Sequence, residues 1–420
     1  MDFLPLCEQK KETLLRHRRY LHRHPELTGQ ETNTVRYIDE SLTQTGIPHV
    51  VVENGGVLGF LRTGKNGGKT VLLRADCDAL PIQEDPKNAK APKTCVSLVP
   101  GVQHACGHDA HTACLLTAAE ILWEHREEVP GDIIFCFERG EEGGGNLYYL
   151  LKYIEEYHIR VDGCFGLHVL AGGRTGAALL TDGPLQAGNI GFSVTLHGSG
   201  GHGSMPSLCH NPIDCFAAIS AALSQLRLQA VDPYQPATLS IGCVHAGQAG
   251  NVIPDTLQFS GTARFYHETG AGEALFAGIH RIVDSCCALY GCTAEKRISR
   301  PGLSVINPHP CYEIARRALT QALGENRVQH WDAMMGSESF AYYSKLYPSF
   351  FLFYSIRNEE KGITIDCHKP GFDIDEDTLP GAAACHMAYA LAFLQNPDPI
   401  PFTPLAGCVD DLFERTGRRP

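Results

Sequence analysis

Residues 132–145 read DIIFCFERGEEGGG. From Asp132 to Phe137 the composition is short, apolar and rich in β-formers, as in a buried strand. The run then passes directly into an acidic, glycine-rich segment. Open α/β sheets place their chemistry at the carboxyl ends of their strands, so this junction predicts a buried strand with a site at its end. In an extended backbone Glu141 and Glu142 project to opposite sides, which lets one bind a metal while the other faces an attacking water. A ligand and a general base would then sit in two residues. A Glu pair is usually a solvated turn; the strand before it and the three glycines after it favour the functional reading.

A second segment supplies complementary donors. Residues 102–111, VQHACGHDAH, place the Cys106 thiol and the His104, His108 and His111 imidazoles in one glycine-broken stretch. In an extended segment residues two apart share a face, so Cys106 and His108 can point at one ion, and Gly107 allows close backbone approach. Thiolate and neutral imidazole suit zinc or a similar divalent transition metal, and a thiolate can bridge two ions as a carboxylate can. Taken alone, the stretch reads equally well as a polar turn around a buried free cysteine. His168 lies near the end of another buried-strand pattern, Val161 to Val169. A lone His on an apolar strand is more often a core residue than a ligand.

The order of RADCDALPIQE at 74–84, HACGHDAH at 104–111, GEEGGG at 140–145, GLHV at 166–169, GGHGSMP at 200–206, GNVIPD at 250–255, GSESFAYY at 336–343 and HKPGFDIDED at 368–377 resembles the metal-dependent aminoacylase/carboxypeptidase amidohydrolases. The branch most like it contains hippurate hydrolases, N-acyl-amino-acid amidohydrolases and plant auxin-conjugate hydrolases. Eight motifs in order, from about His17 to about Leu394, argue strongly against chance. The resemblance implies a dinuclear centre in which Cys106 bridges two divalent ions (zinc, manganese, cobalt or nickel), with His108, Glu142, His168 and His368 completing it. It implies Glu141 as the base on the nucleophilic water and Asp78 as the carboxylate that orients a ligand imidazole. It assigns His202 to the tetrahedral oxyanion in a neighbouring subunit, and Asn251 and Arg264 to the substrate carboxylate. An Arg on a strand suits a bidentate grip, although a surface ion pair is its commoner fate.

The implied reaction is hydrolysis of the amide between an acyl group and an amino acid with a free carboxylate. Metal ions polarise the carbonyl and acidify water, and Glu141 carries a proton from that water to the leaving nitrogen. A dipeptidase or carboxypeptidase acting on short peptides is the related alternative. A catalytically silent metal-binding homologue is the alternative of a different class, and the presence of Glu141 argues against it. Three positions depart from the branch's usual pattern. Glu138-Arg139-Gly140 stands where relatives usually read Gln-Pro-Ala, Ser207 replaces a histidine, and Ser339 replaces an aspartate. The extra acid and base at 138 and 139 could recognise a charged group or pair with each other, so specificity is not transferred from the branch.

The chain has 420 residues, of which 43% are hydrophobic, enough for sizeable cores in two or three folding units. A net charge of −12, with no basic run beyond Arg16 to Arg23, makes nucleic acid a poor partner. That basic run lies on a predicted helix and reads as a solvated helical face. The N-terminal residues lack the apolar core of a signal peptide and no segment is long enough to span a membrane, so the reading is a cytoplasmic protein. Its 17 cysteines follow no disulfide-framework spacing and read as reduced core residues, Cys136, Cys164, Cys215, Cys286 and Cys287 among them.

Helical patterns at Lys10 to Arg23, Asn33 to Thr45 and Thr112 to Arg126 alternate with apolar strands, which signals a mainly parallel sheet covered by helices. After about residue 186 the character changes. An alternating strand at Gly191 to His197, a helix at Pro212 to Gln229, strands at Ala237 to Val244 and Thr256 to Arg264, a helix at Gly272 to Tyr290 and a strand at Cys292 to Ile298 give the order β-α-β-β-α-β. The expected architecture is therefore an α/β, metallopeptidase-like catalytic domain, 1–186 and 299–420, carrying an inserted ferredoxin-like α+β dimerisation or lid domain, 187–298. Its edge strand could pair with its own copy, giving a homodimer or higher even oligomer with shared sites. The loop Asp85 to Gly101 reads as a surface excursion over the site, and Asn396 to Pro420 as a polar tail with one short helical patch.

Overall fold

The computed structural model describes residues 2–143 and 145–420. Eight strands form the principal sheet in the spatial order His49–Val52, Gly56–Leu61, Asp132–Glu138, Thr70–Asp76, Gly163–Leu170, Ser349–Ser355, Ala178–Leu180, Val328–His330. Its centre is parallel. Thr70–Asp76 lies between Asp132–Glu138 and Gly163–Leu170, and Gly163–Leu170 continues to Ser349–Ser355. Antiparallel pairings join the outer strands Gly56–Leu61 and Ala178–Leu180. Every residue of Thr70–Asp76, Gly163–Leu170 and Ser349–Ser355 is buried. Helices on both faces of a parallel sheet demand this, and it explains why these strands read as largely apolar runs, interrupted by Arg74, Asp76 and His168.

The helices His108–Glu124 and Leu379–Gln395 are buried on nearly every side. They pack on one face of the sheet beneath an outer layer that includes Lys11–Arg23, Thr32–Thr45 and His309–Leu323. A helix apolar all round has to lie inside in this way. The opposite face is covered by Leu147–Glu156, Ala341–Leu346 and Val409–Thr416.

The strands Gly188–His197, Ala237–Ala246, Thr256–Phe265 and Thr293–Ile298 make a separate antiparallel sheet, ordered Ala237–Ala246, Thr256–Phe265, Gly188–His197, Thr293–Ile298. The helices Pro212–Ala230 and Glu273–Tyr290 cover one face, with a core of their own around Phe192, Phe259, Ile219 and Ile279. Burial alternates along Gly188–His197, as the half-exposed reading requires. The two chain crossings into this unit are themselves paired, Gly183–Gln186 against Val305–Asn307. A short ladder joins Gly201–His202 to Val252–Ile253 and so ties together the loops that carry His202 and Asn251.

One reading of the sequence needs correction here. The basic run at 16–23 is not a solvated face: His17, Arg18 and His22 are buried. Arg18 reaches Asp109 at 2.9 Å and Glu376 at 3.1 Å, and His22 lies between Asp109 at 2.8 Å and Glu84 at 3.0 Å. Buried carboxylates from other elements absorb the charge, and a single helix cannot display them. The loop 85–101 does lie at the surface, mostly exposed, and is anchored at a few points. Lys93 is buried against Glu84 at 2.9 Å, and Asp85 N–H donates to the Pro370 carbonyl at 3.0 Å. Among the described residues no helix is long and apolar enough to cross a membrane.

Candidate metal centre

The carboxyl ends of the central strands converge on one cluster. Asp76 ends one strand and Asp78 lies two residues beyond it; Glu141 and Glu142 follow the strand ending at Glu138, and His168 lies near the end of Gly163–Leu170. His108 opens the helix His108–Glu124, and Cys106 lies in the turn just before it. Strand alternation does not bring them together, as the sequence reading supposed. Gly107 has φ +85° and turns the chain into the helix, and a Cβ there would lie 2.3 Å from Val169 Cγ2. Only glycine meets both demands. Similarly, Glu141 and Glu142 sit in a turn rather than an extended strand, after Gly140 at φ +69°.

The Cys106 Sγ lies 3.2 Å from His168 Nε2 and 3.2 Å from His368 Nε2. His368 Nε2 is also 3.2 Å from Glu142 Oε1. Ligand-type atoms of Cys106, His108 and His168 lie within 4.8 Å of one another, as do those of Cys106, Glu142 and His368, and those of His108, Glu141 and Glu142. The thiol therefore belongs to two donor groups at once. His368 reaches it from a loop with φ +63°, a left-handed conformation uncommon for a residue with a Cβ. Its N–H donates to the Ala105 carbonyl at 2.8 Å, which pins that loop to the cysteine segment.

Second partners set the direction of each imidazole. His108 Nδ1 donates to Asp78 Oδ1 at 3.0 Å, leaving Nε2 for the cluster. Asp78 in turn accepts from Thr28 Oγ1 at 2.7 Å and from the Glu142 N–H at 3.1 Å. His168 Nδ1 donates to the Val169 carbonyl at 2.7 Å, so its Nε2 faces the thiol. This is the arrangement that fixes tautomer and ring orientation in metal-binding histidines. His108 Nε2 is buried without a hydrogen-bond partner. Such an atom is costly unless a cation or another partner meets it. Soft sulfur, imidazole nitrogen and carboxylate oxygen together form a donor set suited to divalent transition metals.

His111 lies within 4.8 Å of donor atoms of Asp76 and His108, but both its ring nitrogens are already engaged. Its Nδ1 is 2.6 Å from Asp76 Oδ1 and its Nε2 accepts from the Val169 N–H at 2.9 Å. Burial lowers its pKa to about 4, so it is a neutral bridge between strand and helix. His104 is also buried, with its pKa lowered to about 4, and lies outside these donor groups.

Glu141 is half-buried, and its Oε1 accepts the Ser339 N–H at 2.9 Å. Burial and the neighbouring Glu338 carboxylate raise its pKa well above the ordinary value, which makes it a stronger proton acceptor than a solvated Glu. With Glu142, Asn189, Ser337, Glu338 and Ser339 it lines a cleft of about 170 Å³. Arg264 donates to Ser337 Oγ at 3.2 Å and so stands at that cleft. His202 and Asn251 are exposed instead. His202 Nδ1 is 2.8 Å from Ser204 Oγ, and the Asn251 carbonyl accepts the Gly203 N–H at 2.9 Å. Among the described residues, no hydrogen bond joins either side chain to the metal-ligand cluster.

The departures at 138, 139 and 339 have structural accounts. Arg74 is fully buried, with Nε 2.8 Å from Glu138, Nη1 2.8 Å from Asp76 and Nη2 3.0 Å from Glu338. Ser339 Oγ donates to Glu138 at 2.6 Å and accepts from Arg74 Nη2 at 2.7 Å. The carboxylate absent from 339 has its counterpart at 138, at the end of the strand Asp132–Glu138. Arg139 turns from the cleft to Glu31 at 2.9 Å. The two residues therefore neither pair with each other nor offer a charge to substrate. Ser207 sits on an exposed turn, Pro206–Leu208. An arginine inside the apolar strand Thr70–Asp76 was the available sequence signal for this network.

The sequence profile of peptidase family M20/M25/M40 matches residues 72–392. The chain is 33% identical over 389 residues to thermostable carboxypeptidase 2 of Saccharolobus solfataricus, covering 91% of this chain and 96% of that protein. It is 32% identical to the N-acetylcysteine deacetylase of Bacillus subtilis, covering 91% and 97%. Among solved structures, the Bacillus subtilis YXEP protein, a dinuclear metal-binding peptidase of the M20 family, superposes with a TM-score of 0.74 at 29% identity, over 92% of this chain and 98% of that one.

Proposed function

Since this chain belongs to peptidase family M20/M25/M40 and is a metal-dependent amide-bond hydrolase, we propose that it cleaves the amide of an N-acyl or N-aroyl amino acid bearing a free carboxylate. The observation that carries this reading is one thiol shared by two donor groups, with the Glu141 carboxylate beside them at the cleft. Cys106, His108, Glu142, His168 and His368 would hold two divalent ions, drawn from zinc, manganese, cobalt and nickel. When bound, such ions act as Lewis acids that polarise the scissile carbonyl and acidify water.

The remaining work falls to the chain's own side chains. Glu141 takes the proton from the attacking water and delivers it to the leaving nitrogen. Asp78 holds His108 in its ligand tautomer. Arg264, with help from Asn251, grips the substrate carboxylate. His202 donates to the developing oxyanion. His202 and Asn251 are exposed in their own chain, which supports delivery from a partner subunit in a homodimer or higher even oligomer. In this reading 187–298 is the dimerisation or lid domain, inserted in a catalytic domain of 1–186 and 299–420, and its edge strand Ala237–Ala246 is free to meet a second copy. All 17 cysteines are free thiols, which supports a cytoplasmic setting.

The relative named carboxypeptidase favours a second reading, hydrolysis of short peptides. A turnover screen of the metal-loaded protein separates the two: N-acyl amino acids, their carboxyl-blocked amides and dipeptides, scored by released amine. Turnover confined to N-acyl amino acids with a free carboxylate is expected. Preference for dipeptides would move the assignment to peptidase, and equal rates on blocked and free carboxylates would remove the role given to Arg264.

A further inference from the structure

One wall of the cleft beside Glu141 comes from the far end of the chain. Arg418 lines it together with Glu141, Glu142, Asn189, Ser337 and Tyr342. Residues 393–420 lie beyond the span that the family profile matches. They are nevertheless built into the fold. The helix Val409–Thr416 buries Leu412 and Phe413, Phe413 stacks on Tyr342 with ring centroids 4.4 Å apart, and Tyr342 donates to Thr416 Oγ1 at 2.9 Å. The helix ends at Gly417, φ +66°, where the Gly417 N–H donates to Glu414 O and the Arg418 N–H to Phe413 O, each at 3.0 Å. This left-handed cap sets the direction in which the chain leaves the helix, and the next side chain reaches the cleft.

The Arg418 guanidinium has no ion-pair partner within 4.0 Å among the described residues, while Arg419 is drawn off to Asp410 at 3.3 Å. The carboxylates nearby have other partners. Glu338 is 3.0 Å from Arg74, Glu142 is 3.2 Å from His368, and Glu141 accepts from the Ser339 N–H. Arg264 approaches the same cleft from the inserted sheet: it donates to Ser337 and lies opposite Asn189 across the strand pair. Of the two guanidinium groups, that of Arg418 lines the cleft of about 170 Å³, and that of Arg264 bonds to Ser337 in its wall.

We infer that Arg418 is a specificity residue that binds a second carboxylate, making N-acyl amino acids with two carboxylates the preferred substrates. The inference rests on the proposed reading that Arg264 holds the first carboxylate. A guanidinium fork matches carboxylate geometry in a way a point charge does not, so a lysine should replace it only in part.

The test compares the unaltered protein with Arg418→Ala and Arg418→Lys, all metal-loaded, on N-acetylalanine, N-acetylaspartate, N-acetylglutamate and N-succinylalanine. In Arg418→Ala the ratio of kcat/KM for a dicarboxylate to that for N-acetylalanine should fall about tenfold, with partial recovery in Arg418→Lys. The N-acetyl and N-succinyl series tell which end of the substrate carries the recognised group. A ratio unmoved in both series overturns the inference. Calorimetry supplies a readout independent of turnover: preference for glutarate over butyrate should be present in the unaltered protein and lost in Arg418→Ala. If no N-acyl amino acid is hydrolysed but that preference depends on Arg418, the amidohydrolase reading fails and the anchor stands. If glutarate and butyrate bind alike in every variant, the anchor fails.

Discussion

Cys106, His108 and His168 are buried, and each of the two imidazoles has its outer nitrogen committed to an acceptor, whereas His202 and Asn251 stand exposed on loops tied to one another by a short ladder. Both regions carry residues of the types the chemistry needs. The difference lies in what one chain supplies. Strand ends and a helix start, packed in a dense interior, position the first region before any substrate arrives. The second has its backbone ladder but nothing to aim its side chains at. A proposed site assembled from both is complete only when another body, a closed lid or a second subunit, brings the loops to the cluster.

The largest effect expected within this contrast falls on the pinned side. Glu141→Gln keeps the shape and removes the proton acceptor, so kcat should drop by roughly 10² to 10⁴ while metal content survives. Glu142→Ala should lose metal instead. Elemental analysis alongside kinetics checks both, and near-normal turnover in Glu141→Gln would mean that the base lies elsewhere.

The unpinned side should come next. His202→Ala should lower kcat by about 10² to 10³, the usual cost of one oxyanion donor. Mixing His202→Ala chains with Glu141→Gln chains under subunit exchange asks who supplies that histidine. Recovery of activity is expected, because one of the two shared sites in a mixed dimer would have both residues intact. Mixed dimers that form and stay inactive would return His202 to its own chain or remove it from catalysis.

A milder change probes the pinning itself. Asp78→Asn removes the charge that His108, Thr28 and the Glu142 backbone share. Metal affinity should weaken by roughly 10- to 100-fold, measured by competition with a chromophoric chelator. Unchanged affinity would show that Asp78 serves the fold alone. The smallest effect belongs to Arg139→Ala: the Glu31 pair lies away from the cleft, so relative rates on differently charged substrates should not move. A changed preference would put Arg139 back at the site.

The sequence exposes some of this plainly. Burial on both faces makes Ile133 to Phe137 and Gly163 to Leu170 continuous apolar runs, so the parallel centre of the sheet is legible from composition. The inserted unit is legible because one face of its sheet is wet, which leaves an alternating pattern. The convergence of Cys106 with His108 is suggested by the residue types, but for the wrong reason; it depends on the positive φ of Gly107, which no periodicity encodes. His368 is reached only through resemblance, since a lone imidazole in a loop at φ +63° has no local signal. The burial of His17, Arg18 and His22 is not legible locally because their partners, Glu120, Asp109, Glu84 and Glu376, come from elements far apart in sequence.

The Arg74 network also bears on how such a sequence comes to differ from its relatives. Where the branch usually has glutamine at 138 and aspartate at 339, this chain has glutamate and serine, and both positions meet at one buried guanidinium. A lineage passing from one arrangement to the other one step at a time must cross an intermediate holding either both acids or neither around Arg74. Residues that share a buried charge are coupled by roughly 0.5 to 3 kcal/mol, so the second substitution is favoured once the first has occurred. Scored column by column, the positions count as two departures from the branch's pattern; as a pair they are one carboxylate that has moved from a turn to the end of a strand.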